Sequence, residues 1–116
     1  NQSGIARGIF TEKDLSLLHR KLKKIISENK IKLDEIKYRP YHPDGVIKQF
    51  TKNHKSRKPD NLMIKQLLKK WPTDIKKSFM IGDRLSDQMC AKKSRLYFEF
   101  AKKNFYFQIK NILKNI

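Results

Sequence analysis

The residues best suited to chemistry lie in three short polar segments of this 116-residue chain: 1–8, Arg57-Lys58-Pro59 and 82–87. The last of these, Gly82-Asp83-Arg84-Leu85-Ser86-Asp87, follows the apolar run 78–81, which is typical of a buried parallel strand that delivers a polar residue to a sheet edge. A carboxylate at such a strand tip suits Mg²⁺, which takes one or two carboxylates and keeps room for water and phosphate oxygens. Asp83 is therefore a candidate metal ligand. By itself, this segment favours equally the alternative that Asp83 only caps a helix.

The other two segments are suited to an anionic ligand. Lys58 directly precedes a predicted helix, and an ammonium near a helix N-terminus can neutralise a phosphoryl oxygen. Segment 1–8 holds two of the four glycines, whose backbone N–H groups can approach an anion, and Asn1, Gln2 and Ser3 can contact a polar substrate. Taken singly, a solvated lysine and an ordinary turn are the simpler interpretations.

Hydrophobic spacing predicts the elements that position these segments. Segment 1–8 is predicted to be a loop, and 48–58 another. Four helices are expected: one capped by Thr11 with Asp14 and running to about Asn29, one from Pro59 to Trp71, one capped by Ser86 and running to about Lys93, and one from Phe105 to the C-terminus. Three strands are expected: near Ile36, over 78–81 and over 96–100.

Short strands separated by helices predict an α/β fold with a parallel sheet. Three strands are fewer than a parallel sheet covered on both faces normally needs, so we expect further strands to precede Asn1. On the C-terminal helix, Phe105, Ile109 and Ile112 should pack on the sheet.

The composition restricts the compartment and the partners. The single cysteine, Cys90, excludes an internal disulfide and a multi-thiolate metal site, and no run of apolar residues is long enough for a membrane span, so a cytoplasmic setting is expected. The net charge is +17, which is also typical of nucleic-acid-binding proteins. The basic residues are 22 lysines and 6 arginines, and the chain is also rich in Ile and Asn, as AT-rich codons produce. Because arginine is the preferred residue for phosphate and base contacts, nucleic acid is a possible but not a favoured partner.

In this order and with these separations, the three segments, together with Tyr41-His42-Pro43-Asp44-Gly45, resemble motifs of the haloacid dehalogenase-like phosphohydrolases. The resemblance is greatest to the branch of D,D-heptose bisphosphate and histidinol-phosphate phosphatases, and it covers residues 1 to about 100. It implies a three-layer Rossmann-like parallel sheet that here lacks its first two strands, with residues 1–116 forming the C-terminal portion of a single domain.

The resemblance also implies roles. Asp83 would hold Mg²⁺, with Asp87 as a supporting acid, and Lys58 would stabilise the phosphoryl group during transfer. The implied substrate-binding residues are Asn1, Gln2, Ser3, Arg57, Lys58 and Arg84. In the family, an aspartate on the first strand attacks phosphorus and a second aspartate two residues later acts as acid and base. Both are expected upstream of Asn1, so the segment by itself should be inactive.

Many relatives also hold a structural zinc ion through Cys-x-His and Cys-x-Cys. The corresponding positions here are Arg39, Tyr41, His54 and Ser56. Only His54 could bind zinc, so no zinc is expected.

The resemblance therefore predicts a cytoplasmic, Mg²⁺-dependent phosphatase of a small phosphorylated metabolite, most plausibly D-glycero-D-manno-heptose 1,7-bisphosphate. Histidinol phosphate is the nearest alternative substrate. Two further alternatives are a polynucleotide 3′-phosphatase, which the +17 charge would suit, and a basic binding module without catalysis.

Overall fold

The computed structural model describes residues 2–40, 47 and 60–116. The chain divides into two compact units, Asn1–Arg57 and Lys58–Ile116. In the described ranges, no helix is both long and apolar enough to cross a membrane.

The first unit contains helices α1 (Ser3–Ala6) and α2 (Glu12–Glu28). The predicted capping box of α2 is confirmed. The Asp14 backbone N–H donates to Thr11 Oγ1 at 3.1 Å, and the Thr11 backbone N–H donates to Asp14 Oδ2 at 3.0 Å. These bonds lower the pKa of the Asp14 carboxyl, the one from the Thr11 backbone most, because they favour its charged form.

The composition of segment 1–8 predicted a loop, but Ser3–Ala6 form one helical turn. Tertiary packing explains the difference, since Ile5 and Ala6 are fully buried and Phe10 folds back over the turn. A Cβ at Gly4 would lie only 2.3 Å from a ring carbon of Phe10, so glycine lets the ring approach the backbone. The turn is followed by Gly8 with φ of 74°, a conformation that favours glycine.

The strand predicted near Ile36 is wrong, because residues 31–40 belong to no helix or strand. A strand needs a hydrogen-bonded neighbour as well as suitable side chains. Among the described residues of the first unit, one backbone–backbone hydrogen bond reaches this segment from a residue outside both the segment and α2. In it, the Gln2 N–H donates to Arg39 O at 2.8 Å. One such bond does not form a ladder.

The second unit contains α3 (Leu62–Lys70), a 3₁₀ turn (Ile75–Lys77), strand β1 (Phe79–Gly82), α4 (Leu85–Lys93), β2 (Tyr97–Phe100) and α5 (Phe105–Lys114). The two strands are parallel, with Phe79 opposite Tyr97 and Gly82 opposite Phe100. The predicted parallel α/β organisation is thus confirmed, with α4 as the connection between the strands.

Two helix starts differ from the predictions. The first helical residue of α3 is Leu62, three residues later than predicted, and Pro59 itself lies outside the described residues. Helix α4 is capped at Arg84 and not at Ser86. The reason is that Asp87 lies at the third position of the helix and its carboxylate accepts from the Arg84 backbone N–H.

Helix α5 packs less apolar surface than expected. Ile112 is buried and Ile109 half-buried, but Phe105 is 49% exposed, so the prediction that Phe105 packs on the sheet is wrong. The position next to Ile112 on the buried face is taken by Gln108, which is 4% exposed. Its polar contacts are described with the site.

Helices α2 and α4 end in the same way. The residue after each C-cap, Lys30 or Arg95, has a positive φ, of 59° and 57° respectively. In each case the next residue donates its N–H back into the last turn, Ile31 to Ile26 O at 3.2 Å and Leu96 to Ala91 O at 3.0 Å. Both helices therefore end in a Schellman motif, with a basic residue at the position that favours glycine.

Candidate phosphate and metal site

The turn that follows β1 is built around the Asp87 carboxylate. Its Oδ2 accepts from the backbone N–H groups of Asp83 and Arg84, both at 3.1 Å, and the residue is only 4% exposed. Two donors on one buried carboxylate oxygen fix the path of the chain as it leaves the strand. Asp87 thus supports the turn, in agreement with the supporting role predicted for it.

Gly82 allows this arrangement. A Cβ at Gly82 would lie 2.4 Å from Asp87 Cβ and 2.6 Å from its Oδ2, closer than real Cβ contacts allow. The carboxylate can therefore approach the turn only because residue 82 has no side chain. Glycine at the end of the strand is therefore a packing requirement.

The side chains of Asp83 and Arg84 are exposed at the carboxyl end of β1. The described residues hold no group of three or more His, Cys, Asp or Glu side chains that could bind a metal ion. A single exposed carboxylate on a rigid turn nevertheless fits Mg²⁺, which usually keeps several waters and binds substrate phosphate oxygens. Arg84, one residue further along, adds a guanidinium suited to bidentate phosphate contact.

The end of β2 is joined to the same edge of the sheet. The Ala101 backbone N–H donates to Gly82 O at 2.8 Å. Buried Gln108 holds the following loop, since its Nε2 donates to Phe100 O and to Glu99 Oε2, both at 2.8 Å, and its Oε1 accepts from Lys102 N–H at 2.9 Å. Sequence reasoning missed Gln108, although a lone amide within the apolar stripe of α5 was the available signal.

Glu99 is the charged member of this network. Tyr97 Oη donates to Glu99 Oε1 at 2.6 Å, and this bond, followed by the one from Gln108, lowers the pKa of the carboxyl. The same bond raises the pKa of the Tyr97 hydroxyl. The network stabilises the end of β2 rather than presenting a reactive group, because both carboxylate oxygens are engaged.

Asp60 and Asn61 are the first described residues after the Arg57-Lys58-Pro59 segment, and both contact the last turn of α4. Asp60 Oδ1 lies 2.8 Å from Lys93 Nζ, and its backbone oxygen accepts from Cys90 Sγ at 3.4 Å. Asn61 Nδ2 donates to Ser94 Oγ at 3.1 Å. These contacts could not be predicted from the sequence, because Asp and Asn before a helix ordinarily indicate capping.

The predicted site residues are thus described unequally. Asn1, Arg57 and Lys58 lie outside the described residues, as do Tyr41-His42-Pro43-Asp44-Gly45, His54 and Ser56. Gln2 is half-buried and its backbone N–H is bonded to Arg39 O. The Arg39 guanidinium donates to Tyr38 O at 2.9 Å. The roles of the predicted substrate-binding residues, Ser3 among them, and the absence of zinc remain predictions.

Comparison with known proteins supports the resemblance seen in the motifs. The sequence profile of the HAD-hydrolase-like family matches residues 56–96, which include the lysine and aspartate motifs. The chain is 39% identical over 92 residues to a D-glycero-beta-D-manno-heptose-1,7-bisphosphate 7-phosphatase from Rhodopseudomonas palustris, covering 79% of this chain and 51% of that protein. It is also 39% identical over 87 residues to a D-glycero-alpha-D-manno-heptose-1,7-bisphosphate 7-phosphatase from Photorhabdus laumondii, covering 75% and 48%.

The fold is similar as well. A solved structure described as a HAD-like phosphatase, from Mesorhizobium loti, superposes with a TM-score of 0.84 over 98% of this chain and 61% of that one, at 23% identity. The chain spans about half the length of the curated relatives it matches. Sequence motifs and relatives agree with the fold in showing that this chain is similar to the HAD-like hydrolases.

Proposed function

We propose that the protein is a Mg²⁺-dependent phosphatase that hydrolyses a phosphate ester of D-glycero-D-manno-heptose 1,7-bisphosphate. The observation that carries the proposal is the turn after β1, where buried Asp87 holds Asp83 and Arg84 at the strand tip by two backbone hydrogen bonds. The heptose bisphosphate phosphatases to which the chain is similar support the substrate.

Each residue of the proposed site has a distinct task. Asp83 would hold Mg²⁺, which when bound offsets negative charge on the phosphoryl oxygens. Lys58 would place an ammonium on the same group, and Arg57 and Arg84 would orient the rest of the anionic substrate. Asn1, Gln2 and Ser3 would line its pocket. The attacking aspartate, which forms an aspartyl-phosphate, would be supplied by sequence upstream of Asn1.

The test is phosphate release by the natural protein, produced with whatever sequence its gene encodes before Asn1. We expect release from heptose bisphosphate that requires Mg²⁺ and stops with EDTA. Asp83→Asn and Lys58→Ala should each lower kcat by at least about a hundredfold, since each removes charge stabilisation from the transition state. Lys92→Ala removes an equal charge from an exposed position of α4 and should leave kcat unchanged.

The choice of substrates separates the alternatives. The two anomers of the bisphosphate should be assayed in parallel, because relatives of both specificities match the chain. Histidinol phosphate and a 3′-phosphorylated oligonucleotide complete the panel. The net charge of +17 would suit the oligonucleotide, and a preference for that substrate together with a steep loss of binding at higher salt would replace the proposal. No release from any of the four would favour a non-catalytic binding module.

A further inference from the structure

The loop that follows β2, residues 101–104, is held in place by a buried side chain of α5. Gln108 is only 4% exposed, and an amide at such a position requires hydrogen-bonding partners. Its Nε2 donates to Phe100 O at 2.8 Å, and its Oε1 accepts from the Lys102 backbone N–H at 2.9 Å. These two bonds fix the end of the strand and the first half of the loop, so the course of the loop is set when the unit folds.

This loop is the direct neighbour of the turn that carries Asp83. Gly82 lies opposite Phe100 in the parallel pairing, and the Ala101 backbone N–H donates to Gly82 O at 2.8 Å. Because neighbouring strands lie about 5 Å apart, the loop begins about 5 Å from the turn. The carboxyl ends of parallel strands are where α/β folds place their ligands, and the turn and the loop form adjacent parts of that edge.

The loop carries two lysines that are available to an anion. The Lys102 ammonium lies 3.9 Å from Glu99 Oε2, at the outer limit of an ion pair, and its side chain is 71% exposed, so this contact is weak. Lys103 is exposed and forms no ion pair with a residue that the structure describes. Neither ammonium group is therefore firmly held by a carboxylate of the described chain.

The turn and the loop differ in charge. The turn, residues 82–87, has two carboxylates and one guanidinium, whereas the loop has two ammonium groups and no carboxylate. A phosphate group needs a metal ion to approach the carboxylate of Asp83, but it can approach the lysines of the loop directly. This edge of the sheet thus offers two unlike places for phosphate groups.

A sugar bisphosphate has the matching arrangement of charge. In a 1,7-bisphosphate the two phosphate groups are at opposite ends of the carbon chain, so only one of them can lie at the metal. The other keeps its negative charge and requires cations some distance away. The Cα atom of Lys103 is at most about 12 Å from that of Asp83, counting one strand spacing and two residues of extended chain.

We propose that Lys102 and Lys103 bind the phosphate group of the bisphosphate that is not transferred, while the transferred group lies at Asp83. The inference rests on the proposed function, because it takes Asp83 as the place of phosphoryl transfer. Since Gln108 already fixes the loop, little chain entropy is lost when the lysines bind. The two lysines therefore select a bisphosphate over a monophosphate through affinity and not through the chemical step.

The experiment compares the heptose 1,7-bisphosphate with its 1- and 7-monophosphates, each of which lacks one phosphate group, as substrates of the natural protein. KM and kcat are measured at saturating Mg²⁺ and fixed ionic strength. In the variant Lys102→Ala/Lys103→Ala, KM for the bisphosphate should rise at least about tenfold, because two charge-assisted contacts are lost. KM for whichever monophosphate is hydrolysed, and kcat for both substrates, should stay near the wild-type values.

Two matched variants test the cause of the change. Lys110→Ala/Lys114→Ala removes the same charge from exposed positions of α5 and should leave KM for the bisphosphate unchanged. Lys102→Arg/Lys103→Arg keeps the charge of the loop and should retain most of the affinity. All four lysines are exposed, so none of these variants alters the packed interior.

The inference is overturned when the loop variant and the α5 variant have the same KM for the bisphosphate, or when the loop variant raises KM equally for the bisphosphate and the monophosphate. A wild type with the same KM for both substrates also overturns it, since the second phosphate group is then not bound. Failure of the proposed function has a different signature. In that case the wild type releases no phosphate from any of the three heptose phosphates, or Asp83→Asn releases it as the wild type does, and the inference falls with the site.

Discussion

Replacement of Gly82 by alanine tests whether the turn after β1, residues 82–87, depends on the approach of Asp87. The new Cβ would lie 2.4 Å from Asp87 Cβ, and ordinary contacts begin near 3.4 Å, so Asp87 or the strand must move by about 1 Å. Forcing extra volume into a packed site costs about 1–3 kcal/mol. Movement of the carboxylate also weakens its bonds to Asp83 N–H and Arg84 N–H, and bonds to a charged acceptor contribute about 1.5–3 kcal/mol each.

The expected loss of unfolding free energy for Gly82→Ala is therefore about 3–5 kcal/mol, allowing for partial relaxation. It is measured by urea unfolding of the natural protein. The sign alone is informative, because in a strand without this contact Gly→Ala would stabilise the protein by about 0.5–1 kcal/mol. The control is the same substitution in an Asp87→Gly background, where the clashing atoms are absent and the loss should be small. A neutral Gly82→Ala variant, or equal losses in both backgrounds, would refute the reasoning.

Three further predictions concern the rest of the fold. Thr11→Ala should cost about 1 kcal/mol of stability in urea unfolding because it removes the cap of α2, whereas Thr11→Ser should be nearly neutral. The pKa of the Glu99 carboxyl is lower in the folded protein than in the unfolded chain. The charged carboxylate therefore stabilises the fold at a pH above the pKa of the unfolded chain, and this contribution is lost as the pH falls through the pKa of the folded protein. Tyr97→Phe removes the main cause of the lowered pKa, so the variant should lose less stability than wild type as the pH falls below the unfolded pKa of the carboxyl; an identical loss would contradict this assignment. The isolated 116 residues should bind a hydrophobic dye and lack near-UV circular dichroism. The reason is that the two-stranded sheet of the described residues is only marginally stable and many large apolar side chains are exposed. A sharp cooperative thermal transition would contradict this prediction.

The features that could be predicted from the sequence are those whose residues lie close together in the chain. The cap of α2 depends on Thr11 and Asp14, three residues apart, and both bonds are present. Strand β1 is a short apolar run that ends at Gly82, and its position was predicted to within one residue. The turn after β1 could be predicted for the same reason, because its strand, glycine and carboxylates are contiguous in the sequence.

The features that were missed depend on contacts between distant residues. The helical turn at Ser3–Ala6 depends on the burial of Ile5 and Ala6, and the absence of a strand at Ile36 reflects the absence of a ladder in the described residues. The contact of Asn61 could not be predicted because its partner, Ser94, is 33 positions away in the chain. Periodicity reports which side chains are apolar, but it does not report which of them find a neighbour.

The helix ends at Lys30 and Arg95 carry basic residues at positions that favour glycine, and the codons of these residues suggest a reason. Both residues adopt a left-handed conformation that costs a side-chain-bearing residue about 1 kcal/mol relative to glycine. Glycine codons begin with two guanines, whereas the lysine codons and one arginine codon are rich in adenine. A gene rich in A and T would encode few glycines and many lysines, and this chain has four glycines beside 28 Lys and Arg. Such a gene would account for both the charge and the basic residues at these helix ends without an acidic partner.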